Sequence, residues 1–437
     1  MGSAAFAPAR ADDLSSAAAA AIAADAGAET FAVHGQLTSV TQGNSNFTSP
    51  YVGTNSLLPD GRTEATTDLT LFVGRRLWQG AELWVNPEID QGFGLSNTLG
   101  VAGFTSGEAY KIGSNEPYLR LPRAFVRQVF ALGSEMAPAE SAANQLAGPR
   151  PVDNVTLTFG KFSAVDIFDL NTYAHDPRGD FLNWSIIDAG AFDYAADPWG
   201  FTYGGAVEWT EDWWTLRAGF FQLADLPNSK ITAVDFSRNM LVAETEGRYQ
   251  WGDHPGKLKL LAFVNHAPMA SYDDAVRLAA ATGEVPDVSQ VRRWASRPGA
   301  VLNIEQELTS SVGAFARASA NDGSKETYEF TDINRSLSSG VSVTGDAWGR
   351  HADKVGLAGA VSSISKDAQR YFAAGGLGLL VGDGRLDYAP ERLVELYYAA
   401  RIEPVTVTFD YQYIRNPAYN QDRGPVSVFG LRVHAEF

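Results

Sequence analysis

Residues 405–414, VTVTFDYQYI, alternate strictly, with Val405, Val407, Phe409, Tyr411 and Tyr413 set against Thr406, Thr408, Asp410 and Gln412. Side chains of an extended strand point to opposite faces with a period of two, so this segment carries one apolar and one polar face. The last nine residues, FGLRVHAEF, do the same: Phe429, Leu431, Val433, Ala435 and Phe437 oppose Gly430, Arg432, His434 and Glu436. In 81–90, Leu83, Val85 and Ile89 oppose Glu82, Asn86, Glu88 and Asp90, and in 153–162, Val155, Leu157 and Phe159 oppose Thr156 and Thr158. No internal repeat of 20–50 residues accompanies the pattern, which argues against a propeller or a β-helix. No stretch approaches the roughly 20 apolar residues of a membrane-spanning helix. Lipid does not tolerate open strand edges, so strands of this kind in a membrane imply a closed barrel.

Segments of this type lie near 30–42, 65–78, 81–91, 118–131, 153–162, 200–210, 213–223, 240–251, 256–266, 299–308, 313–320, 336–345, 354–363, 391–402, 405–414 and 426–437. The expected fold is all-β, a transmembrane antiparallel β-barrel of about 16 strands, in the size range that leaves an aqueous channel. Connection lengths alternate as in outer-membrane barrels, whose periplasmic turns are short and external loops long. Gln79-Gly80, Glu211-Asp212, 252–255, 309–312, 346–353 and Glu403-Pro404 are the short set, and only the link 132–152 strains the rule. Trp78, Trp209, Trp213, Trp214, Trp251 and Trp348 lie beside short turns, where an aromatic girdle at the membrane interface is expected. Both termini then face the periplasm, and outer-membrane lipid surrounds the wall. Residues 1–28 read as a signal remnant and alanine-rich leader, and 29–437 as the barrel domain.

Composition narrows the function. A net charge of −17 argues against nucleic acid as a partner. With no cysteine there is no disulfide, thiolate metal site or thiol catalysis. No serine stands in a G-x-S-x-G context. The chain reads as a channel rather than an enzyme, with no cofactor required; an outer-membrane barrel hydrolase is the second alternative.

GKFSAVDIFDLNTYAHDPRGDFLNWSIIDAG (160–190) resembles the OprB-type carbohydrate-selective porins. PEIDQGFGLSNTLG (87–100), LPRAF (121–125), FARASANDGS (315–324) and GPVSVFGLRVHAEF (424–437) extend the resemblance from Phe31 to Phe437. It implies a sixteen-stranded outer-membrane barrel passing small hydrophilic solutes, classically sugars. EIDQGFGLSNTLG together with YAHDPRGDFLNW is also similar to a branch described as manganese porins, so uptake of divalent cations is the rival reading. Association into homotrimers is left open.

Segment 163–199 is the third long loop, the one general porins fold inward. Asp166, Asp169, Asp176, Asp180, Asp188, Asp193 and Asp197 face a single arginine, Arg178, in it. Folded inward, it is expected to give the constriction a negative potential. Wall positions Glu88 and Asp90 on one strand, with Arg123 and Arg127 on the next, would add a transverse field; pairing of these arginines with Glu88 or Asp90 stays open. Tyr173 and Trp184, with Phe181, Phe192, Tyr194 and Trp199, could form an aromatic slide for sugars. For manganese, His175, Asp176, Asp169 and Asp180 are the candidate oxygen and imidazole ligands, as a loose and transient site.

Overall fold

The computed structural model describes residues 28–437 except Tyr110 and Ile112, so all of the leader but Ala28 lies outside the described residues. Its strands are β1 (Phe31–Asn44), β2 (Thr63–Trp78), β3 (Ala81–Gly92), β4 (Ser114–Ala131), β5 (Met136–Ala139), β6 (Gly148–Pro151), β7 (Asn154–Phe162), β8 (Thr202–Glu211) and β9 (Trp214–Gln222). They continue with β10 (Asn239–Trp251), β11 (His254–Met269), β12 (Arg293–Thr309), β13 (Val312–Asn321), β14 (Arg335–Gly345), β15 (Arg350–Ser363), β16 (Glu391–Ile402), β17 (Val405–Arg415) and β18 (Val426–Glu436). All but β5 and β6 form one closed barrel in chain order, β18 pairing back to β1. Each of the sixteen expected segments corresponds to one barrel strand. Among the described residues no helix is long and apolar enough to cross a membrane.

Alternation decides which face is which. On β17, Thr408, Asp410 and Gln412 are buried while Phe409 is 62% exposed, and on β18 His434 is buried while Phe429 is 57% exposed. Leu71, Leu119, Phe159, Leu216, Leu241, Leu337, Leu357 and Leu396 continue the exposed apolar belt around the wall. A surface this apolar suits lipid, and the polar inner face suits water. Trp78, Trp209, Trp213, Trp251 and Trp348 are exposed beside short turns, and Trp209 packs on Trp214 with ring centroids 5.3 Å apart. At the seam Gly35 and Phe437 exchange backbone hydrogen bonds of 2.7 and 2.9 Å. A Cβ on Gly35 would meet the Phe437 ring at 2.3 Å, so glycine leaves the space that ring occupies.

Two departures from regularity matter for the lumen. Asn86 pairs with Arg123 but Glu88 pairs with Arg120, so β4 carries one extra residue at Leu121-Pro122. Proline cannot donate to a ladder and is accommodated at such a bulge. The extra residue changes the parity of the strand, so Arg120 turns inward along with Arg123 and Arg127 while Leu119 and Leu121 stay outside. The other departure is the link between β4 and β7: β5 and β6 make a separate two-stranded hairpin there.

Candidate functional site

Segment 163–199 is held by inward-facing wall residues. A turn at Ala164–Asp166 follows Ser163, whose backbone N–H donates to the Asp166 carboxylate at 3.0 Å. The same carboxylate accepts two hydrogen bonds from Arg123 of β4, at 2.8 and 2.6 Å. Burial alone would raise the Asp166 pKa, but Arg123 draws it below the ordinary carboxylate value. Asp169, at φ 58°, accepts from Arg317 of β13 (3.1 Å), Asn303 of β12 (2.7 Å) and the Ala189 N–H (2.7 Å). Its own N–H donates to Glu244 of β10 at 2.9 Å. Asp180 pairs with Lys354 of β15 at 3.0 Å. Glu395 of β16 accepts from the N–H groups of Leu182 and Asn183 at 2.5 and 3.0 Å. The single helical turn Trp184–Ile187 is capped by Asn183, whose side chain also donates to Gln412 of β17 at 3.0 Å.

Several of the carboxylates on which the expected negative potential rests have cationic or imidazole partners. Asp188 lies 3.6 Å from His175, Asp193 2.5 Å from Arg297 and Asp197 3.7 Å from Lys161. Asp176 accepts from the Arg178 N–H at 2.9 Å. The acids outnumber the loop's one arginine, but the wall supplies cations to Asp166, Asp169, Asp180, Asp193 and Asp197. Arg178 in turn reaches Asp68 of β2 at 3.4 Å and Glu108 at 3.3 Å. Burial would lower its pKa, but Glu108, Asp68 and Asp176 raise it well above the ordinary value.

The candidate metal residues do not converge. Asp169 is engaged by Arg317, Asp180 by Lys354 and His175 by Asp188. No group of three or more His, Asp or Glu suited to a metal ion occurs among the described residues.

The wall charges are matched as well, though not by the arginines expected. Arg120 bonds both Glu88, at 2.5 Å, and Asp90. Arg123 takes Asp166, and Arg127 donates to the Asn144 carbonyl at 2.8 Å. Arg120 was missed because plain alternation from Arg123 turns it outward; Pro122 was the available signal.

Of the expected aromatic slide, Trp184 stacks between Phe330 (4.8 Å), Tyr194 (5.8 Å) and Phe104 (4.6 Å) and is almost fully buried. Phe181 packs on Tyr397 and Phe315, and Phe192 on Phe263. Trp184 thus ties loops to one another, and Phe181 and Phe192 bind the segment to the wall. The Tyr173 ring lies against Gly313 of β13, where a Cβ would come within 1.9 Å of it. Trp199 does face open space: Arg120 lies 5.2 Å from its ring, and its Nε1 donates to Tyr118 at 3.0 Å. Phe201, not singled out from sequence, takes Arg123 at 4.8 Å.

These groups enclose a cavity of about 310 Å³ lined by Glu88, Glu108, Arg120, Arg123, Asp166, His175, Arg178, Trp184, Trp199 and Phe201. Residues 54–437 match the model of the carbohydrate-selective porin, OprB family. The chain belongs to the OprB family. As an OprB-family porin it is an outer-membrane channel for small hydrophilic solutes and not an enzyme. A solved structure of OprB from Pseudomonas putida is similar over 93% of this chain and 94% of that one, with a TM-score of 0.72 and 16% identity. The outer membrane channel DcaP of Acinetobacter baumannii is similar over 93% and 97%, at a TM-score of 0.50 and 12% identity. At these identities the likeness shows the fold alone. Sequence comparison with curated proteins finds no match.

Proposed function

We propose that this porin conducts neutral carbohydrates, with segment 163–199 as the infolded third loop that narrows the lumen. The observation that carries the reading is charge matching: Glu88, Glu108 and Asp166, which line the cavity, face the guanidinium groups of Arg120, Arg178 and Arg123 within hydrogen-bond or ion-pair distance. A lumen of paired charges offers donors and acceptors to hydroxyl groups without a strong net field for either sign of ion. Trp199 and Phe201 beside those arginines supply the apolar half of sugar recognition. The short turns and both termini face the periplasm in this reading. Single-channel recording in a planar bilayer under a salt gradient tests it. Concentration-dependent block by mono- and disaccharides with weak ion selectivity is the expected result. Strong cation preference with measurable manganese current and no sugar block transfers the assignment to divalent cations.

A further inference from the structure

The link between β4 and β7, the one connection that breaks the short-turn rule, enters the barrel from the short-turn mouth. Its stem is the β5–β6 pair, and its tip is closed by reciprocal hydrogen bonds between Ala142 and Gln145, 3.0 Å each, leaving Ala143 and Asn144 at the turn. Asn144 sits at φ 58°, a conformation asparagine tolerates better than most residues. Its side-chain oxygen accepts from Asn86 of β3 at 2.9 Å, and its carbonyl accepts from Arg127 of β4 at 2.8 Å. Asn86 is fully buried and six residues beyond the Gly80 turn, about 20 Å along the strand at ~3.3 Å per residue. The tip is therefore inside the lumen. The base is fastened separately: Glu29 accepts from the Ala147 N–H at 2.7 Å and from Ser141 at 2.7 Å, and Arg150 bonds Glu82 of β3 at 2.9 Å.

The tip also divides the open space. Below the 310 Å³ cavity lies a second one of about 460 Å³, on the side of the short turns, lined by Arg127, Arg150, Thr156, Thr158 and Glu208 among others. The residues lining both are Ala143, Asn144, Asp166 and His175. Side chains that line two neighbouring cavities stand between them, so any path from one to the other passes these four. Two of them, Asp166 and His175, belong to segment 163–199, and the other two to the link from the opposite mouth.

We propose that the β4–β7 link is a second constriction element, and that its Ala143–Asn144 tip sets the size limit of the pore together with Asp166 and His175. The channel is then a series of two chambers joined by a neck with walls from both mouths. The proposal does not depend on which solute passes.

Because the chain has no cysteine, one introduced thiol can be addressed alone. Ala143 is exposed to the lumen, so Ala143→Cys disturbs no packing, and Glu284→Cys in an exposed outer loop serves as control. Purified full-length variants are recorded in planar bilayers before and after a charged methanethiosulfonate reagent, with labelling verified by mass. The expected result is a drop in single-channel conductance of about twofold or more for Ala143→Cys and none for Glu284→Cys. Complete labelling of Ala143→Cys with unchanged conductance overturns the proposal. Should that variant insert poorly, Asn144→Gly, which suits the positive φ, decides the question: higher conductance supports the neck, and equal or lower conductance overturns it.

Discussion

Arg123 grips Asp166 through two hydrogen bonds, 2.8 and 2.6 Å, joining wall strand β4 to the segment 163–199 at the boundary of the two cavities. Paired, the two contribute little net field; separated, each becomes an uncompensated charge beside the solute path.

Asp166→Asn therefore leaves the Arg123 guanidinium without its counter-charge, and the permeability ratio moves toward anions. Reversal potentials under a salt gradient measure this. The shift should shrink as salt is raised, because screening shortens the reach of the exposed charge. An unchanged reversal potential would place this pair outside the conducting path.

Asp169 holds the segment down through Arg317, and both side chains are almost fully buried. Removing one member of a buried pair strands the other, at a cost of about 3–5 kcal/mol. In Asp169→Ala, amide exchange in 169–189 should accelerate on the order of 10²-fold or more, if that cost falls on local opening of the segment. Strand amides of β12 and β13 serve as the reference that should not change.

Asp332, in the connection after β13, accepts from the Leu380 N–H at 3.0 Å, yet burial raises its pKa from 3.8 to about 6. A carboxyl with a raised folded pKa binds a proton that the opened state has released. Stability of this loop contact therefore falls as pH rises from about 4 to about 6 and stays reduced above, by roughly 3 kcal/mol for two pK units. Exchange of the Leu380 amide, corrected for intrinsic rates, should be slower at pH 5 than at pH 7.5. Asp332→Asn should flatten the difference.

Deleting Pro122 alone removes the bulge but keeps Arg120 in the lumen, because Arg123, Leu121 and Arg120 then alternate opposite Asn86, Pro87 and Glu88. Deleting Leu121 and Pro122 together reverses the parity of the strand before Arg123. Arg120 then swings to the lipid side, where an arginine costs about 2–4 kcal/mol near the bilayer midplane, and Glu88 and Asp90 lose their partner. Assembly of the barrel, followed by heat-modifiable electrophoretic mobility, should fall sharply in the double deletion, whereas the Pro122 deletion should assemble normally.

Alternation alone was enough to place sixteen strands, because a wall between lipid and water demands a side-chain period of two on every strand. Its failures are local and have physical causes. A strict two-residue count keeps Arg123 and Arg127 on one face but gives no inward place to Arg120, since a bulge is invisible to it. The acidic character of 163–199 was plain, but the pairing of its carboxylates was not. Arg297, Arg317 and Lys354 lie more than 100 residues away in the chain, and only the closed barrel brings them opposite Asp193, Asp169 and Asp180. Trp184 looked like a sugar platform in sequence, yet Phe104 and Phe330 from other loops cover its faces. The link 132–152 was recognised as irregular by length, but nothing in its composition says that its tip turns inward.

The seam between β1 and β18 is paired from Gln36 with Glu436 through Asn44 with Val428, as continuously as any other neighbouring strands. With an even number of strands the first and last run antiparallel, so residues near Gly35 and Phe437 emerge at one rim. The wall thus has no privileged break. Bridging that rim with a short linker and opening the chain at Gln79-Gly80 would give a circular permutant with the same cylinder, in which the order of synthesis changes and the set of neighbours does not.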